Sequence, residues 1–139
     1  MRPPPPREKD MVTDHATLRD MWDERVRTRP GAEFLVVEDP DTGRVERYTY
    51  AEAAREVARA ANLFHRLGVG KGDRVAVHLC NRAEFVECFL ALTSIGAVVV
   101  PLNMSFTAPE CTHILAECKV GVLVTEPSLA AGDLAGFAP

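Results

Sequence analysis

Gly68-Val69-Gly70-Lys71-Gly72-Asp73 is the segment whose residue types come nearest to a phosphate cradle. Glycine amides can approach an anion closely and a lysine can neutralise it. Its setting argues the other way. A phosphate loop follows a strand and opens a helix, whereas the flanking patterns make this loop follow a helix and open a strand. It therefore faces the negative end of a helix and reads as a helix-to-strand turn.

Four histidines, His15, His65, His78 and His113, are scattered, and no aspartate or serine partners any of them at a nucleophile spacing. His78 is the only one inside a predicted strand. A cleft-facing role is open to it, but without a partner the satisfied or partly exposed reading is the better one. Cys80, Cys88, Cys111 and Cys118 lie 8, 23 and 7 residues apart, which matches neither a C-x-x-C redox pair nor a zinc ligand spacing. Three of them fall at core positions of predicted helices, where cysteine behaves as a small hydrophobe, so the set reads as buried and reduced. Trp22 and the phenylalanines at helical spacing read as core rather than as a stacking surface. Arg25, Arg27 and Arg29 read as a solvated helix face, offset by Asp23 and Glu24.

The elements that must position these residues belong to one modest domain of 139 residues, 47% hydrophobic and 26% charged. The formal net charge of −4 provides no broad positive field for a phosphate backbone, which argues against nucleic acid as a partner. No apolar stretch follows the charged N-terminus as a secretory signal would require, and no segment reaches the ~20 apolar residues of a membrane span. A cytoplasmic location is expected.

Pro3-Pro4-Pro5-Pro6 removes backbone donors, so residues 1–12 are expected to form an extended, flexible Pro-rich tail. From Thr17 the pattern turns helical, with Leu18, Met21, Trp22 and Val26 on one face and Arg29-Pro30-Gly31 as the stop. Phe34–Val37 and Val45–Tyr48 alternate as strands around the turn residues Asp39-Pro40-Asp41-Thr42-Gly43, which predicts a hairpin. Thr49-Tyr50-Ala51-Glu52 is a capping-box signature. The helix it opens turns Ala53, Ala54, Val57, Ala61, Phe64 and Leu67 to the core and ends at Gly68.

Strand and helix then alternate. Arg74–Leu79 is followed by a helix from Asn81 that carries Phe85, Cys88, Phe89 and Leu92 and ends near Gly96. Ala97–Val100 is followed by a helix capped at Thr107-Ala108-Pro109-Glu110 and carrying Cys111, Ile114, Leu115 and Cys118, and Val120–Val124 is the third strand. Strand starts at 74, 97 and 120 give two intervals of 23, enough for a crossover helix and two short loops. Near-continuous apolar strands of this kind predict a parallel sheet with right-handed crossovers, covered on both faces. The two units do not match residue for residue, so the spacing is shared geometry and not a repeat. Residues 128–139 form a loose C-terminal segment.

Several short motifs resemble, in order and spacing, the opening of the adenylate-forming acyl-CoA synthetases. They are Tyr48-Thr49-Tyr50-Ala51-Glu52, Asn62-Leu63-Phe64, Gly68-Val69, Lys71-Gly72-Asp73-Arg74-Val75-Ala76, Asn81, Glu84-Phe85-Val86, Leu90-Ala91-Leu92 and Gly96-Ala97-Val98-Val99-Val100-Pro101-Leu102-Asn103. Leu18–Asp23, Ala61–Phe64 and Val77–Leu79 are most similar to the crotonobetaine/carnitine-CoA ligase group. Ala53-Ala54 departs from it where a leucine usually follows the glutamate, and Arg82-Ala83 departs where a cysteine-proline pair is common.

The resemblance implies an α/β fold, the N-terminal portion of the large synthetase domain, in which a helix and hairpin precede a βαβαβ unit and residues 13–127 form a partial AMP-binding domain. It implies that a full-length relative joins a small carboxylic acid to AMP using ATP and Mg²⁺, releases pyrophosphate and transfers the acyl group to CoA. The Ser/Thr/Gly-rich loop ending in Pro-Lys-Gly and the later catalytic lysine of such enzymes have no counterpart here. No catalytic, cofactor-binding or metal residue therefore carries over, and this chain is expected to hold none of these cofactors and to be inactive alone. Asp73, Gly96 and Pro101 carry over as scaffold that shapes turns and strand ends. Self-association through exposed apolar surface is expected, and the rival reading is a non-catalytic binding module on the same scaffold.

Overall fold

The computed structural model describes residues 17–39 and 42–126. The expected tail over 1–12, His15, Pro40-Asp41 of the hairpin turn and the segment over 128–139 lie outside the described residues.

Helix α1 (Leu18–Thr28) starts because Thr17 Oγ1 accepts the Asp20 N–H at 3.1 Å, and its inner face buries Trp22. Strands β1 (Glu33–Glu38) and β2 (Val45–Thr49) pair antiparallel, and Gly43 closes their turn at φ 67°. Trp22, Phe34 and Tyr50 meet as an aromatic trio, with ring centroids 4.9, 5.8 and 5.0 Å apart, and so tie α1, β1 and the next helix together. Trp22 is core, as the pattern predicts.

Helix α2 (Tyr50–Arg66) opens with the complete capping box: the Thr49 N–H donates to Glu52 Oε2 at 2.9 Å and the Glu52 N–H donates to Thr49 Oγ1 at 3.3 Å. It buries Ala53, Val57 and Phe64. Leu67 departs from expectation, being 58% exposed: the helix has ended and Gly68, at φ 83°, turns the chain so that Val69 enters the core instead.

Strand β3 (Arg74–His78) is central in a parallel sheet of order β4-β3-β5, where β4 spans Val98–Pro101 and β5 spans Val122–Thr125. The flanking strands start one and two residues later than the pattern predicts. The crossovers from β3 to β4 and from β4 to β5 run in opposite directions across the sheet, and two right-handed crossovers of that kind place their helices on opposite faces. Packing agrees. Val75 and Val77 join Leu92 of α3 (Ala83–Ser94) in the larger cluster, while Ala76 joins Cys111 and Leu115 of α4 (Ala108–Glu117) in the smaller one.

Helix α3 begins at Ala83 with Arg82 as its N-cap, later than the Asn81 start expected. It buries Leu90, Ala91 and Leu92, whereas Phe89, predicted for the core, is 37% exposed, because the packed face follows the neighbours α1, α2 and β4. Gly96 ends it at φ 79° and Pro101 closes β4, both as predicted. The expectation of coverage on both faces holds for β3 alone. Val98 at the start of β4 is 47% exposed, and β5 is only half-buried.

Candidate functional site

The crossovers leave β3 and β4 on opposite faces, so the carboxyl ends of these strands border a topological switch point, where open parallel sheets place their ligands. Three adjoining cavities of about 390, 290 and 840 Å³ open there, and Asn81 lines all of them. The largest runs between Leu79, Phe85, Leu102, Met104 and Phe106, with Asn103 as a polar group. The smallest lies between β1 and the start of α3, floored by Leu35, Phe85 and Val86. The third is ringed by charge: Arg44 pairs with Glu46 at 2.8 Å, and Arg82 lies 3.4 Å from Glu84 and 3.7 Å from Glu126.

Electrostatics at this end are structural in origin. The carboxyl of Glu126 is held below the usual range, first by the backbone N–H of Cys80 at 3.0 Å and then by the Cys80 thiol. The same contact pushes the Cys80 thiol up, with a smaller contribution from burial. A protonated thiol is a poor nucleophile. Burial pushes Cys88 up to about 11, so it too stays protonated near neutral pH. Nearby, burial and the Glu46 carboxylate push Tyr48 up to about 12.

The candidates from the sequence do not converge on this crevice. The glycine-rich loop sits at the other end of the sheet, and its three glycine amides are already engaged, Gly68 donating to the His65 carbonyl at 3.0 Å. Val69 donates to the Phe64 carbonyl at 3.0 Å, Gly70 to Asp73 Oδ2 at 2.7 Å, Gly72 to the Gly96 carbonyl at 2.9 Å and Asp73 to the Gly70 carbonyl at 3.2 Å. Such a loop is a closed turn and does not fit a phosphate, in accord with its reading from the sequence. His65 and His113 are exposed.

His78 is only 4% exposed and lines none of these three cavities. Its Nδ1 lies 3.5 Å from Thr125 Oγ1, its Nε2 has no hydrogen-bond partner among the described residues, and the ring does not face solvent. The cysteines divide: Cys111 is buried, Cys88 and Cys118 are half-buried, and Cys80 is exposed, against the expectation that all four are interior. All four are thiols. Among the described residues no three His, Cys, Asp or Glu side chains are grouped as metal ligands. Asn81, the residue common to the three cavities, enters the sequence reading only as a predicted helix start and as part of a family motif. No pattern of types around it marks a crevice, because its walls come from β1, α3 and the loop after β4.

Residues 22–137 match the AMP-binding enzyme family. The chain belongs to that family. Among its members, the crotonobetaine/carnitine–CoA ligase of Salmonella paratyphi A is 43% identical over 108 residues, which are 78% of this chain and 21% of that enzyme. The enzyme of the same name from Proteus mirabilis is 42% identical over the same extent. Of the solved structures, a fatty acyl CoA synthetase from Mycobacterium tuberculosis superposes at a TM-score of 0.75 with 33% identity, over 86% of this chain and 24% of that one. O-succinylbenzoate coenzyme A synthetase from Bacillus subtilis, in complex with AMP, gives 0.74 with 27% identity over 84% and 29%. This AMP-binding family member thus spans about a fifth of the length of the curated relatives it matches. The α/β fold with its parallel βαβαβ unit is that of the N-terminal domains of acyl-CoA synthetases.

Proposed function

We propose that this chain is the opening segment of the large domain of an ATP-dependent, AMP-forming acyl-CoA ligase, which converts a small carboxylic acid, ATP and CoA into acyl-CoA, AMP and pyrophosphate. The observation that carries this reading is the 43% identity to a crotonobetaine/carnitine–CoA ligase over 108 residues. The partial AMP-binding domain comprises residues 13–127 and contributes scaffold. Its glycine-rich loop shapes a turn, its parallel strands set the floor of the switch-point crevice, and no residue of it performs a catalytic step. ATP, Mg²⁺ and CoA belong to the completed enzyme. No described helix is long and apolar enough to cross a membrane, and a cytoplasmic setting fits a ligase of soluble co-substrates.

Alone, the chain exposes Met104 and Phe106 beside the crevice, Leu63 on α2 and Leu67 just past it, surface that favours self-association. Pyrophosphate release with ATP and carboxylic acids including crotonobetaine and carnitine tests the reading. The isolated 139-residue chain is expected to release none. The Salmonella ligase with its matching segment replaced by residues 18–125 of this chain is expected to retain carboxylate-dependent release. A folded but inactive chimera, or turnover by the isolated chain, overturns the proposal.

A further inference from the structure

The largest cavity at the carboxyl end of the sheet, about 840 Å³, has a lining suited to one kind of group. Phe85 and Phe106 supply aromatic surface and Leu79, Leu102 and Met104 supply aliphatic and thioether surface, while Glu38 is the one charged side chain among the described residues that line it. Asn103 fixes the loop after β4: its Oδ1 accepts the Ser105 N–H at 2.8 Å and its carbonyl accepts the Phe106 N–H at 3.0 Å. The turn so formed leaves Met104 and Phe106 more than a third exposed on the cavity wall, and neither belongs to a core cluster. Large apolar side chains held out of the core in this way mark a contact surface for a ligand.

Charge decides what that wall can hold. In the adjoining cavity Arg44 is set against Glu46, and Arg82 against Glu84 and Glu126, whereas Glu38 has no ion-pair partner among the described residues. A carboxylate or phosphate entering the large cavity meets the negative faces of two rings and a like charge. A neutral apolar group gains burial alone. A cation with an apolar skin gains burial, the attraction of the rings and the attraction of Glu38 together. We propose that Phe85, Phe106 and Glu38 form a binding site for a quaternary ammonium group. The site stands on the cavity by itself; that the bound group is the end of the acid remote from its reacting carboxylate rests on the ligase reading above.

Choline and its uncharged tert-butyl isostere, titrated separately into the isolated 139-residue chain and followed through amide chemical shifts, test the site. Choline is expected to shift Asn81, Asn103 and Phe106 and to bind roughly tenfold more tightly than the isostere. Phe106→Leu keeps an apolar side chain at an exposed position, so the fold should persist, while choline weakens several-fold and the isostere is little affected. Glu38→Gln should act in the same direction and less strongly, because the carboxylate is exposed. Equal affinity for the two compounds, choline binding untouched by both substitutions, or shifts confined to residues outside the crevice overturns the site. The Salmonella ligase carrying residues 18–125 of this chain tests the second half. Phe106→Leu in that chimera should raise KM for a trimethylammonium acid relative to its tert-butyl isostere and leave kcat for both in place. An unchanged ratio of the two KM values overturns the assignment of the site to the substrate. Loss of pyrophosphate release by the chimera with Phe106 intact counts against the ligase reading instead, and the choline titration still decides the site.

Discussion

The backbone N–H of Cys80, just past β3, donates to Oε1 of Glu126, just past β5, at 3.0 Å across 46 residues of sequence. This contact clasps the carboxyl ends of two parallel strands at the rim of the crevice. Glu126→Gln keeps an acceptor but loses the charge that strengthens the bond, and is expected to cost roughly 0.5 kcal/mol at neutral pH, discounted for solvent exposure. The carboxyl is held below its usual range by the Cys80 amide and thiol, so this contribution is present above the unfolded-state value and disappears as pH falls through the lowered one. Chemical denaturation at neutral and strongly acidic pH checks it: wild type and variant should differ at the first and converge at the second.

Helix starts provide a second acid-sensitive set. Glu52 and Glu110 are both lowered by the N–H and then the hydroxyl of their cap threonines, Thr49 and Thr107. Their stabilisation is likewise complete above the ordinary carboxylate value and lost below it. Thr49→Ala, which removes the acceptor for the Glu52 N–H, should destabilise by about 1 kcal/mol. Thermal melts of Thr49→Ala and of Thr107→Ala at neutral pH test this, with loss of helical signal accompanying each transition.

Glu87 has the opposite sign. Burial, followed by the carboxylates of Glu84, Glu56 and Glu46, raises it, so its contribution to stability falls as pH rises from the unfolded-state value through the raised one. Glu87→Gln should therefore stabilise the chain at neutral pH, by less than about 1 kcal/mol given its partial exposure, and lose that advantage in acid. A melting temperature lower than wild type at neutral pH would contradict this account.

Leu92 and Leu67 have the same side chain and should behave oppositely. Leu92 is fully buried against β3, and Leu92→Ala is expected to cost about 2–5 kcal/mol, enough to unfold much of a marginally stable chain. Leu67, 58% exposed, should tolerate lysine within about 0.5 kcal/mol. Urea titrations of the two variants compare them directly.

Two glycines separate backbone strain from crowding. Gly68 and Gly96 sit at φ 83° and 79°, but a Cβ on Gly68 meets nothing within 4 Å, whereas one on Gly96 would lie 3.1 Å from Lys71 Cγ. Gly68→Ala should cost about 1–2 kcal/mol from the left-handed backbone alone. Gly96→Ala should cost more. Equal losses in parallel melts would show that Lys71 moves aside freely.

Local chemistry made much of the fold legible. Thr49 and Glu52 sit three residues apart, so the geometry that satisfies the start of α2 can be read without any distant partner, and the same holds for Thr107 and Glu110 at α4. Positions at element ends were less legible. Leu67 and Phe89 fit the helical period of their segments, yet burial depends on where a helix stops and which neighbours it meets. The place of Asn81 in a crevice was not legible, because that crevice is assembled from separate stretches of chain.

From the sequence alone came the order and kind of the elements, the closed character of the glycine-rich turn and the likeness to acyl-CoA synthetases, because caps, turn residues and periodicity act over a few neighbouring positions. Only the tertiary structure decided that β3 lies between β4 and β5, that α3 and α4 take opposite faces, that Cys80 meets Glu126, and that His78 is buried with Thr125 beside its Nδ1. These relationships join residues tens of positions apart. Their energies depend on which surfaces exclude water together, a property of the packed chain that no short stretch of it contains.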